Sequence, residues 1–264
     1  MSIQDSGEPQ QRSILDPKST LLDPQSSPPY SLLISDLHLS ADHPASFAAF
    51  ENFVATQARK AEALYILGDL FEYWAGDDDL HDPFHQRVIA ALKGLPVVYL
   101  MQGNRDLLIG DQLAEACDAH LLNDPALIDL YGTPTLLCHG DTLCTDDMAY
   151  QQYRKNVHSV EFRQQFLAKP LAERKAFIEQ LRRHSNAEKQ TKDSAIMDVS
   201  DASVAELLRE YRYPRLIHGH THRPGRHEHI VDGHLCERWV LGDWDRHANA
   251  LRADRGGIQW APLD

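Results

Sequence analysis

The chain has 264 residues, with 26 Lys and Arg against 39 Asp and Glu, a formal net charge of -13 and 42% hydrophobic residues. The carboxylate excess argues against a nucleic-acid binder, because affinity for a phosphate backbone comes largely from Lys and Arg. Length and apolar content allow one large domain or one domain with an insertion and exclude a wholly disordered chain, and there is no run of about 18 uncharged apolar residues that could cross a membrane. The polar N-terminus has no apolar secretory stretch, so a soluble cytoplasmic protein is expected.

Residues 1–29 hold five of the 14 prolines, with much Ser, Gln and Asp and no periodicity. Such a stretch buries too little apolar surface to offset its ordering entropy and is predicted to be a flexible extension. From Tyr30, short apolar runs each end in a polar cluster: YSLLISDLHLS, ALYILGDLFEYW, PVVYLMQGNRD, TPTLLCHGD and RLIHGHTH. Separated by helical stretches such as PASFAAFENFVATQARKA, they predict buried strands in an α/β layered fold with a mixed or parallel sheet. The polar clusters stand at the carboxyl ends of the runs, where open α/β sheets place their ligands.

Asp77, Asp78 and Asp79 lack the spacing of an EF-hand loop and are expected in a solvated loop. Between Asp146 and Ser200 the texture turns helical, and this segment holds ten Lys and Arg against eight Asp and Glu, so it is about +2 on a remainder of about -15. Its apolar positions, among them Val157, Val160, Phe162, Phe166, Leu167 and Phe177, recur at helical spacing; most are expected to pack among the insertion's helices, with an exposed apolar rim open to the rest. After Arg223 the segments RHEHIVDG, LCERWVLGDW and ANALRADRGGIQWA predict antiparallel strands. His227, His229 and His234 there are expected to be packing or surface residues. Cys117, Cys138, Cys144 and Cys236 show no CxxC spacing, and reduced thiols are expected.

The chemistry concentrates at the strand ends: Asp36 and His38, Asp69, Asn104, His139, His220 and His222. Carboxylate, carboxamide oxygen and imidazole suit hard or borderline divalent ions, and the lack of thiolate disfavours a structural zinc site. Seven donors are too many for one ion and suit two sharing a carboxylate, the arrangement that clamps both oxygens of a phosphoryl displacement. One-residue spacing lets Asp36 and His38, and likewise His220 and His222, project to one side of a strand end. Gly68, Gly103, Gly140 and Gly219 are expected to let the backbone turn beside them.

The ordered set D-x-H, G-D, G-N-R-D, H-G-D and G-H-x-H, from about Tyr30 to Trp244, resembles the calcineurin-like metallophosphoesterase superfamily. In SDLHL, GDLFEYW, GNRD and KDSAIMDV it resembles the branch of UDP-2,3-diacylglucosamine hydrolases of the lipid A pathway. The resemblance implies β-sheets flanked by helices over residues 30–264, with a helical cap at about 146–200 that holds acyl chains. It implies one ion on Asp36, His38, Asp69 and His222 and a second on Asp69, Asn104, His139 and His220, with Mn2+ as the usual metal. The implied reaction is hydrolysis of the pyrophosphate of UDP-2,3-diacylglucosamine to UMP and 2,3-diacylglucosamine 1-phosphate, by hydroxide attack on the α phosphorus.

Implied substrate contacts are Asn104, Arg105, Asp147, Ser185, Lys189, Lys192 and His220, although at Lys189 the family more often shows Asn. Arg105 stands where many relatives carry His. It cannot give up a proton at neutral pH but can hold phosphate oxygens through a bidentate fork, so Arg105 and Asn104 are the expected catalytic side chains. A monomer in peripheral contact with the cytoplasmic face of the inner membrane is expected. Two other functions stay open, a phosphatase or dinucleotide hydrolase with a soluble substrate and a non-catalytic scaffold. The insertion and Arg105 count against the first, and the presence of all seven donors counts against the second.

Overall fold

The computed structural model describes residues 28–189, 198–245 and 248–262, with the backbone alone for 183–189. In chain order the strands are β1 (Tyr30–Ile34), β2 (Ala63–Leu67), β3 (Val98–Met101), β4 (Ala119–Leu122), β5 (Ala126–Leu130), β6 (Thr133–Cys138), β7 (Arg215–His218), β8 (Gly225–Val231), β9 (His234–Val240), β10 (Ala250–Asp254) and β11 (Gly257–Ala261). They form two sheets, ordered β11-β10-β1-β2-β3-β4 and β5-β6-β7-β9-β8. β1 to β4 run parallel, as do β6, β7 and β9, while the β5–β6, β8–β9, β1–β10 and β10–β11 pairs are antiparallel.

Alternation within the short runs sets the layers, because successive side chains of a strand leave on opposite faces. Leu33, Leu67 and Met101 meet Leu137, Ile217 and Trp239 between the sheets. Their neighbours Leu32, Ile34, Leu64, Ile66 and Leu100 turn outward onto helices α1 (Pro44–Thr56), α2 (Pro83–Leu92) and α3 (Asp111–Ala116). On the far side, Leu136, Cys138 and Leu216 pack under Val204 and Leu208 of α7 (Asp201–Glu210). The result is the expected layered α/β architecture, with two facing sheets flanked by helices as the resemblance implied.

Helices α4 (Met148–Val157), α5 (Val160–Leu167) and α6 (Leu171–Lys189) lie between β6 and α7 and form the helical insertion. Phe166 is buried, and Phe162 and Ile178 are partly buried against the core. Val160, Leu167 and Phe177 are exposed.

The Asp77–Asp79 stretch departs from expectation, since it forms a 3-10 turn with Asp79 buried. Asp77 accepts from Trp74 Nε1 and from the backbone N–H groups of Gly110 and Gln112, all at 3.0 Å. Asp78 takes the buried Arg174, and Asp79 Oδ1 lies 2.7 Å from Lys175 Nζ. Asp78 and Asp79 fasten the base of α6 to the core, and Asp77 holds the start of α3, tasks that tertiary contact assigns and local spacing does not show.

Candidate metal centre

Parallel pairing brings the carboxyl ends of β1, β2 and β3 to one edge of the first sheet, and those of β6 and β7 to one edge of the second. The loops after β1 and β2 stay zipped beyond the strands, through Asp36 N–H to Gly68 O (3.1 Å), His38 N–H to Asp69 O (3.0 Å) and Leu39 N–H to Leu70 O (2.9 Å). The donors sit on backbone that side-chain-bearing residues rarely adopt: φ is 54° at Asp36, 48° at His38, 54° at Asp69, 67° at His220 and 55° at His222. Each such residue costs on the order of 1–2 kcal/mol, so the surrounding pairing holds five donors in a strained, preorganised arrangement.

Gly68 and Gly140 take positive φ, as the sequence suggested. Gly103 and Gly219 do not, and their role is space, because a Cβ at Gly103 would press on the Asp69 carboxylate and one at Gly219 on that of Asp36.

The side chains converge in two overlapping groups. Donor atoms of Asp36, His38 and His222 lie within 4.8 Å of one another, as do those of Asp36, Asp69 and His139. Nε2 of His38 and Nε2 of His222 face each other at 3.3 Å. Asn104 Oδ1 stands 3.0 Å from Nε2 of His139 and 2.8 Å from Nδ1 of His220, which brings the last two donors in. Asp69 Oδ2 lies 3.8 Å from Nε2 of His139 and 3.9 Å from Nδ1 of His38. Asp36, His38, Asp69 and His139 are buried and Asn104, His220 and His222 partly so, and hard oxygens and imidazole nitrogens turned toward one another are what a divalent ion requires of its first ligands.

Outer partners orient these rings, a role the sequence did not reveal. His139 Nδ1 bonds Leu67 O at 2.9 Å, leaving Nε2 for the centre. Nδ1 of His222 lies 3.1 Å from Asp243 Oδ2, a carboxylate–histidine pair of the kind that fixes a ligand's tautomer. Asp36 Oδ2 accepts from Ser35 Oγ at 2.5 Å and from His220 N–H at 2.9 Å. Asp106, the last residue of GNRD, is fully buried and accepts from the backbone N–H groups of Gly103 (2.8 Å), Asp69 (3.2 Å) and Phe71 (3.2 Å). It ties the GD and GN loops together, and the only sequence signal for it was an acid closing the motif. His218, the first histidine of HGHTH, is buried and bonds Gly219 O and Arg238, a packing role.

The proton balance is that of a site built for cations. Burial is the largest influence on Asp36 and would raise its pKa, but the hydrogen bond and charge of His222, with His139 and His38, hold it well below the ordinary carboxylate range. Burial pushes Asp69 up to about 7 despite His139. Burial opposes charge on His139 and His222, yet the facing carboxylates raise them to about 10 and about 9. Burial and the charge of His139 push His220 down to about 3.

Of the expected substrate contacts, Asn104, Arg105 and His220 line the centre, and Asp147 lies at the foot of the insertion, where its side chain caps α4 by accepting from Tyr150 N–H at 3.0 Å. The side chains of Ser185 and Lys189, and the whole of Lys192, lie outside the described residues.

The family model for calcineurin-like phosphoesterases matches residues 31–224, a span that contains all seven donors, and the chain belongs to that family. Within it, the chain is similar to the UDP-2,3-diacylglucosamine hydrolase of Aromatoleum aromaticum, 50% identical over 231 residues that cover 86% of this chain and 94% of that protein. The enzymes of the same name from Edwardsiella ictaluri and Stutzerimonas stutzeri are 46% and 44% identical, covering 88% of this chain and 92% and 98% of theirs.

Proposed function

We propose that this chain hydrolyses the pyrophosphate bond of UDP-2,3-diacylglucosamine, giving UMP and 2,3-diacylglucosamine 1-phosphate in the lipid A pathway. The observation that carries this is the convergence of all seven donors, five on strained backbone, in a chain 50% identical to a hydrolase of that name. Asp36, His38, Asp69 and His222 would hold one divalent ion, and Asp69, Asn104, His139 and His220 a second, with Mn2+ the expected metal. Such ions polarise phosphoryl oxygens and lower the pKa of water.

Around them the chain's own residues bind and orient. Asn104 is fixed between His139 and His220. Arg105 presents a guanidinium beside them to take the phosphate charge that grows in the transition state. No proton donor is needed on the leaving side, because a phosphomonoester leaves readily from a pyrophosphate. With metal supplied, UMP is the expected nucleotide product; release of UDP would place cleavage at the wrong bond and sink the assignment. Faster turnover of a dinucleotide or phosphoprotein would favour a soluble substrate instead.

Metal loading carries its own expectation. With His139 near 10 and His222 near 9, both rings are protonated at neutral pH in the metal-free protein, and an ion binds only as those protons leave. Apparent Mn2+ affinity should therefore rise with pH up to about 10, with net proton release on loading at pH 7. Calorimetry in two buffers of different ionisation enthalpy measures that release, and its absence would remove the two histidines from the donor set.

No helix among the described residues is long and apolar enough to cross a membrane. We assign peripheral contact with the cytoplasmic face of the inner membrane to the insertion, where Met148, Val160, Leu167 and Phe177 are exposed in a segment with ten Lys and Arg against eight Asp and Glu. Sedimentation with anionic vesicles that weakens as salt is added is the expected result; no sedimentation at low salt would refute it.

A further inference from the structure

Glu72 follows Asp69 by three residues, and its side chain is 13% exposed. Its backbone N–H donates to Leu39 O at 3.1 Å, which ties it to the loop bearing Asp36 and His38. Oε2 stands 3.4 Å from Nδ1 of His38. Oε1 accepts from Nη1 of Arg105 at 3.5 Å and from Nε of Arg182 at 3.1 Å, with Nη2 of Arg182 at 3.0 Å. Arg182 belongs to α6 of the insertion and is steadied by Glu179 Oε2 at 3.1 Å and by the Tyr73 ring, 5.5 Å below its guanidinium carbon. One carboxylate thus touches a proposed metal donor, the proposed phosphate-binding arginine and the cap.

The geometry points to Glu72 as a positioning residue that couples the cap to the metal centre. Its Oε1 sets the directions of Arg105 and Arg182, and its Oε2 holds His38 with Nε2 turned toward His222. Fastening the cap to the core does not explain this placement, because Arg174 and Lys175 already do so at Asp78 and Asp79, away from His38 and Arg105. Among the described residues no other carboxylate lies within ion-pair reach of Arg105. Without Glu72 the Arg105 guanidinium would be aimed by its own rotamers alone, and rotamer-rich side chains bind poorly unless held. This inference rests on the lipid-nucleotide reading only for the substrate used in the assay.

Glu72→Gln keeps the shape and removes the charge, and Arg182→Ala removes the cap's half of the pair without touching a proposed donor. In Glu72→Gln, Mn2+ affinity measured by calorimetry without substrate should fall about tenfold. The kcat should fall about 10–100-fold with KM changed by less than about threefold, the usual scale for losing a group that orients a ligand. Arg182→Ala should lower kcat and leave Mn2+ affinity unchanged. In an Arg105→Ala background, Glu72→Gln should cost less than about threefold more in kcat, because the aimed group is already gone. Losses that multiply in the double variant, or a Glu72→Gln enzyme with affinity and kcat both within about twofold of wild type, would overturn the inference. If the wild type fails to cleave the lipid nucleotide, the functional reading falls, and the calorimetric arm still decides the role of Glu72.

Discussion

Asp69→Asn is expected to lower turnover of the lipid nucleotide by about 10⁴-fold and to strip metal from the protein. Asp69 is 2% exposed, and its Oδ2 lies within 4 Å of both His139 and His38, which belong to the two different proposed ligand sets. An amide keeps the volume and can still accept the Arg105 N–H that Oδ1 takes at 2.8 Å, so the loop survives. What would disappear is the negative charge shared by the two proposed ligand sets, worth about 5 kcal/mol of transition-state stabilisation, and tenfold in rate follows each 1.4 kcal/mol or so. Stability of the metal-free protein should move the other way. A carboxyl whose folded pKa is raised to about 7 destabilises the fold as pH climbs above its unfolded value, so Asn should raise the apo melting temperature at pH 8. Metal content by elemental analysis, apo melting and kcat together test the bridge, and full activity in Asp69→Asn would refute it.

The metal centre was legible in the sequence because its donors sit at the ends of continuous apolar runs, where strand and motif announce each other. β1, β2, β3, β6 and β7 are such runs, and each brings the residues expected of it to the shared edge. β4 and β5 escaped although they are as long as β1, β3 and β7, because His120 interrupts the apolar run of the one and Asp129 that of the other. From the apolar runs alone two sheets could not be told from one, since Leu33 and Leu137 look alike in sequence and only tertiary packing sets them face to face. The outer partners of the site were invisible for a similar reason. Asp106, Asp243 and Glu72 act on backbone amides, a ring or a guanidinium brought to them by the fold, and an isolated acid gives no periodic signal. The positive φ values of the donors are likewise a product of loop-to-loop pairing, not of the residue types that carry them.

Arg105→Ala is expected to lower kcat by about 10²–10³-fold while leaving metal content unchanged, the scale seen when one preorganised donor to developing charge is removed. The separation of effects follows from where Arg105 is attached. Its backbone N–H bonds Asp69 Oδ1, and that bond persists in the variant, so the bridge is not disturbed. Only the guanidinium is lost, and it reaches Glu72 without supplying a donor to either proposed ion. Arg105→Lys should recover little, because an ammonium offers a point charge where a planar fork can grip two phosphate oxygens at once. The pH profile of kcat should keep its shape in both variants, since a group that stays charged across the working range contributes no titration step. A variant that loses its metal along with its activity would instead place Arg105 among the groups that assemble the centre, and the phosphate would need another partner.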